Sequence, residues 1–335
     1  MRLAFTTSAL ALGLVAFSYT GHELQARQGP ASTGAGGVDR GSVSTGEATN
    51  LRPVKGVPSA CPNPVMVQPD VFPVQVGTQT SEDGKTWMVP GPINEGAIAP
   101  DLYDTCIGKG DNPNYASQLQ TVVIDKDGVE ITGYIHGDNY FELYVNGQYV
   151  ARDSIPMTPF NSSVVRFRAR YPMTYAILGI DWETHHGVGM EYAQYNIGDA
   201  GLIAYFSDGN GTHADWKTNV FYIAPLDDPA CVRVMGAVRD SSFCNQARLP
   251  DCAMKQPGKT CKALHFQVPS DWTSAKFNDS SWPNATLWRP VEVTNQPAYV
   301  NYTKLFGDAE FIWTRNLKLD NLVLTRFTAK GPRKN

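Results

Sequence analysis

Residues 140–151 read YFELYVNGQYVA, and the fold follows from this stretch. Tyr140–Val145 alternates bulky residues suited to a pleated strand, Asn146-Gly147 supplies the two residue types that tolerate positive φ, and Gln148–Ala151 returns. The pattern predicts a β-hairpin on a two-residue type I′ turn, with Phe141, Leu143 and Val145 on one face.

The same rhythm extends in both directions. Upstream, Thr121–Asp125, a Lys126-Asp127-Gly128 turn and the alternating run Val129–Ile135 predict a second pair of strands. Downstream, strands are expected at Val164–Arg170, Thr174–Asp181, Gly201–Phe206 and Val220–Ile223. After a polar excursion from Cys231 to Cys261 they resume at Ala263–Val268, Pro290–Thr294, Glu310–Trp313 and Val323–Phe327. Each is bounded by Pro, Gly, Asn or Asp, and no segment keeps a helical period over three turns. Short strands at turn-separated spacing predict an all-β, antiparallel sandwich over residues 115–328, with a disulfide-rich insertion at 231–262 and an extended N-terminal segment.

The N-terminal part divides further. Arg2, the apolar run Ala9–Phe17 and the small-residue site Leu24-Gln25-Ala26 have the order of a secretory signal peptide over residues 1–26. Residues 27–60 are rich in Gly, Ser, Thr, Ala and Pro and read as a flexible linker. Residues 61–114 are punctuated by proline, which favours short extended pieces. Residues 329–335 form a basic tail. No stretch reaches the ~20 apolar residues of a spanning helix, so no transmembrane span is expected.

Export predicts paired cysteines. The six fall into a distant pair, Cys61 and Cys106, and a cluster, Cys231, Cys244, Cys252 and Cys261, whose internal pairing the spacing leaves open. Five sequons, at Asn161, Asn210, Asn278, Asn284 and Asn301, are candidate glycosylation sites. A net charge of −4 with no basic run before the tail argues against nucleic acid as a partner.

Three stretches resemble the galactose-binding-domain-like jelly rolls found in secreted carbohydrate-binding modules and as accessory domains of glycoside hydrolases. They are GDNYFELYVNG at 137–147, Asp271-Trp272 followed by AKFNDSSWP at 275–283, and IWTRNLKLDNLVLTR at 312–326. The resemblance spans about residues 119–328 and implies a jelly-roll sandwich, carbohydrate as the commonest ligand, and a structural calcium in many members. It points first to Asp279, with Asn278 and Ser280, for that calcium. The Cys-rich insertion departs from the pattern. Trp272 and Trp282 read as core.

No G-x-S-x-G elbow, H-E-x-x-H, P-loop or dinucleotide fingerprint occurs. What remains is the segment 181–192, where Asp181, Trp182, Glu183, His185, His186, Glu191 and Tyr192 follow a predicted strand. As a sugar site, Trp182 or Tyr192 offers a ring face and the polar residues meet hydroxyls. As a metal site, adjacent histidines ligate together only from a loop. As a solvated turn it does neither. A polysaccharide hydrolase would use Asp181 and Glu191 as its facing carboxylates. A second loop, with His213, Asp215 and Trp216, has the Gly-rich, acidic look of a ligand or calcium loop, or of a hairpin turn with Trp216 opening the next strand. These observations lead to a secreted, non-catalytic glycan-binding protein of the cell surface or extracellular matrix. The alternatives are an adhesive surface glycoprotein that packs against itself or other proteins, and an extracellular polysaccharide hydrolase.

Overall fold

The computed structural model describes residues 39–53, 75–92, 96–104, 107, 109–154, 162–181, 183, 185–190, 197–244, 251–252, 259–294 and 296–333. The signal peptide, Cys61, Cys106, Asn161, Trp182, Glu191 and Tyr192 lie outside the described residues.

The described strands are β1 (Ser42–Thr45), β2 (Thr49–Pro53), β3 (Gln75–Thr80), β4 (Thr86–Met88), β5 (Thr121–Val123), β6 (Val129–Asp138), β7 (Tyr140–Val145), β8 (Gln148–Arg152) and β9 (Ser162–Ala169). They continue with β10 (Met173–Ile180), β11 (Gly201–Phe206), β12 (Lys217–Leu226), β13 (Arg233–Met235), β14 (Val238–Asp240), β15 (Lys262–His265), β16 (Thr286–Trp288), β17 (Phe311–Trp313) and β18 (Asp320–Ala329). A seven-stranded sheet has the order β1-β15-β12-β18-β10-β7-β8, and a six-stranded sheet the order β16-β17-β11-β6-β9-β5. Strands β2-β3-β4 and β13-β14 form two small sheets. Pairing is antiparallel throughout except between β5 and β9.

The hairpin that opened the sequence reading forms with its expected turn. Asn146 and Gly147 have φ of 51° and 83°, and Val145 faces Gln148 across them. Phe141, Leu143 and Val145 are fully buried. They share a face with Tyr175, Ile177 and Gly179 of β10. The two large sheets meet on this face in a sandwich-like core. The Tyr175 ring stacks on Phe206 of the other sheet at 4.3 Å, and Trp216 stacks on Phe327 at 5.5 Å. Gly179 lets the sheets close, since a Cβ there would sit 2.6 Å from the Trp313 ring.

Two expectations are corrected. Residues 42–45 and 49–53, inside the expected flexible linker, are strands, and β1 extends the seven-stranded sheet by pairing with β15. Composition missed this because an edge strand draws on backbone hydrogen bonds and needs few apolar residues of its own. Pro290–Thr294, expected as a strand, opens with a helical turn at Pro290–Val293. Pro290 presets a helical φ at its first position, and Glu292 reaches back to accept the Arg289 amide at 2.9 Å.

The Cys-rich excursion carries its own hairpin, β13–β14. Its cysteines pair in sequence order, Cys231 with Cys244 and Cys252 with Cys261, with Cα separations of 5.0 and 4.9 Å. No helix among the described residues is long and apolar enough to cross a membrane.

Candidate functional site

The segment expected to carry function is closed over by the N-terminal strands. Asp181, Glu183 and His186 are all buried. Glu183 accepts the Gly187 amide, which turns its carboxylate into the turn rather than outward. Ala48 N donates to His186 O at 2.7 Å, and the Gln79 carboxamide donates to the carbonyls of Gly46 and Gly187. Burial lowers the pKa of His186. His185 meets Glu47 at 3.2 Å. His185, His186 and Gly187 of this turn thus fasten Glu47, Ala48 and Gln79 of the N-terminal segment against the sheet.

The second loop is distant from the first. Strands β10 and β12 both pair antiparallel with β18, so they run parallel to each other. The His185 turn follows the end of β10 and the His213 loop precedes the start of β12. They therefore sit toward opposite ends of the sheet. Trp216 is fully buried with its indole N–H donating to Gly211 O at 2.7 Å, so its ring is core and not a platform. His213 lies 3.5 Å from Glu310, and Asp215 is exposed.

Asp279 is likewise accounted for within the fold. Its carboxylate accepts from Arg326 Nε at 2.8 Å, and the buried Arg326 guanidinium also donates to the carbonyls of Trp272 and Ser274. The motif at 275–283 thus fastens itself to β18 by a cation that needs every partner it has, and Trp272 and Trp282 are buried as expected. Among the described residues no three His, Cys, Asp or Glu side chains converge as a metal-binding set. Of the sequons, Asn278, Asn284 and Asn301 are exposed. Asn210 is buried, with its amide nitrogen donating to Asp208 and to Gly331 O, which leaves no room for a glycan.

A cavity of about 580 Å³ opens instead on the flank of the molecule. It exists because residues 96–102 stitch β8, at the edge of one sheet, to the first half of β9 in the other. Ala99 N donates to Arg152 O of β8, and Arg152 N to Ala97 O. Three residues on, Val164 N of β9 donates to Pro100 O and Leu102 N to Ser162 O. The strap, β8 and the first half of β9 form a floor of Ala99, Pro100, Val150, Ala151, Val164 and Val165. The rim comes from Gly96, Ala97 and the segment around helix α1 (Tyr115–Gln118), which contributes Asn114, Gln118 and Gln120, with Leu119 and Val122 half-buried beneath them.

Polar groups are set into this wall. Asp101, buried, accepts hydrogen bonds from Ser154 Oγ at 2.6 Å and Ser163 Oγ at 3.2 Å. Burial pushes its pKa up to about 7, against the pull of those two hydroxyls. Asn112 anchors the rim to the strap by donating to Asp101 O at 2.8 Å. Asp104 and Arg166 complete the lining. An apolar floor with a few convergent polar groups, one of them with a perturbed pKa, is the usual composition of a small-molecule site.

None of these residues stood out in the sequence. The Pro-rich stretch hides Asp101 as one more loop carboxylate. Arg166 carried a readable signal, because Arg166, Arg168 and Arg170 stand at alternate positions along β9 and just past its end. Comparison with protein-family models, with characterised proteins and with solved structures found no match for the chain.

Proposed function

We propose that this chain is a secreted, non-catalytic binding protein that holds a saccharide in its flank cavity, on a jelly-roll framework related to galactose-binding-like modules. The observation that carries the reading is the cavity itself, whose volume falls within the ~300–1,000 Å³ range of ligand pockets. Its rim carries the exposed carboxamides Asn114, Gln118 and Gln120, a group that presents a donor and an acceptor side by side, as vicinal hydroxyls require. Its floor offers an apolar surface for the carbon face of a sugar ring. Paired cysteines in the 231–261 cluster and the exposed sequons at Asn278, Asn284 and Asn301 support an extracellular address.

A glycan array followed by titration calorimetry tests this reading. Saccharide binding is expected for the native chain and is lost in Ala97→Trp, which plugs the mouth from an exposed position and leaves the melting temperature unchanged. Absence of binding to every glycan, or binding that survives the plug, overturns it.

A further inference from the structure

Arg166 and Arg168 of β9 and Arg170 just past its end occupy alternate positions, and the fold treats them differently. Arg168 pairs with Glu130 at 3.2 Å, and Arg170 pairs with Asp127. Arg166 lies opposite Thr132 on β6 and Thr121 on β5, neither of which carries charge. It lines the flank cavity, is half-buried, and its Nε is sealed from solvent with no acceptor among the described residues.

A guanidinium held partly out of water with no counter-charge is a standing cost to the fold. The two acids on the same cavity do not relieve it. Asp101 is occupied by Ser154 and Ser163, and Asp104 accepts the Ile107 amide at 3.3 Å. Burial also holds Asp101 partly protonated near neutral pH, which lowers the negative charge facing a ligand.

Resting on the saccharide reading above, we propose that the cavity selects acidic sugars, uronate-bearing chains, and that Arg166 pairs with the ligand carboxylate. Guanidinium and carboxylate match as a planar fork of two parallel hydrogen bonds, while the carboxamide rim meets the hydroxyls.

Titration calorimetry with trigalacturonate, galactotriose and a tri-glutamate peptide separates the outcomes. The native chain is expected to bind trigalacturonate about tenfold or more tightly than galactotriose, as a charge-assisted pair gives. Arg166→Gln removes that preference, while Arg166→Lys keeps the charge and retains part of it. Equal affinity for the two sugars, a preference that persists in Arg166→Gln, or equal binding of tri-glutamate overturns the assignment and leaves the cavity reading standing. Failure of any sugar to bind, or binding indifferent to Ala97→Trp, removes both.

Discussion

Asp101 is the residue at which burial most alters chemistry on the cavity wall. Its folded pKa, about 7, lies above the ordinary carboxylate value of 3.8. Between those values the folded state binds more protons than the unfolded chain, so this group makes stability fall as pH rises from 4 to 7. His136 and His265 work the other way, since burial holds both near 3 and the folded state then binds fewer protons than the unfolded chain. Their contribution is lost as pH falls below about 6.5. The opposing slopes mask each other in the native chain, but the difference between native and Asp101→Asn isolates the carboxyl. The two are expected to be equally stable at pH 4, where Asp101 is protonated and Asn is its neutral isostere. The variant is expected to gain by ~1–3 kcal/mol by pH 8. Urea melts at both pH values check this, and a difference independent of pH would sink it. None of this was visible in sequence, because the serines that hold Asp101 lie 53 and 62 residues away.

At the scale of the element, what was legible was local. The β7–β8 hairpin could be read from residues 140–151 because alternation and the Asn-Gly pair act within a dozen positions. The same motif carries a longer-range contact, since Asn146 Oδ1 accepts the Thr174 amide at 2.8 Å and ties the turn to β10. Gly147→Ala tests the turn alone. The new Cβ would lie 3.6 Å from its nearest neighbour, an ordinary contact, so the cost is that of placing an L-residue at φ +83°. A loss of about 1 kcal/mol is expected in urea denaturation, with an unchanged m-value. Gly179→Ala should cost more, about 1–3 kcal/mol, because its Cβ would press on the buried Trp313 ring. Reversal of that order would mean that the sheets separate more easily than their packing implies. The burial of Asp181, Glu183 and His186 was illegible for the converse reason. These polar residues mark a turn that another part of the chain packs against, and no local pattern says which part.

At the scale of the whole molecule, that part is the N-terminal arm, and its attachment makes the last prediction. Strand β1 closes the edge left by β15. Ser44 Oγ lies 2.7 Å from His265 Nε2, within a pocket where Trp87 stacks on the imidazole at 5.2 Å and Tyr222 meets it edge-on at 5.0 Å. Gly46 N donates to Cys261 O at 2.9 Å, which ties the arm to the stapled insertion. A chain that starts at Gly37 keeps all of this. One that starts at Ala48 exposes the β15 edge, strips the buried His265 of its hydroxyl partner and takes Glu47 away from His185. Losing one buried hydrogen-bond partner costs ~1–3 kcal/mol, and the bared edge adds a site for intermolecular pairing. The shorter chain is therefore expected to melt lower and to aggregate on heating, with saccharide binding at the distant flank retained below its melting point. Calorimetric scans of the two chains with light scattering decide it. Coincident melts would show that the arm rests on the sheet without stabilising it, and the composition of residues 27–60 would then describe its energetics better than its hydrogen bonds do.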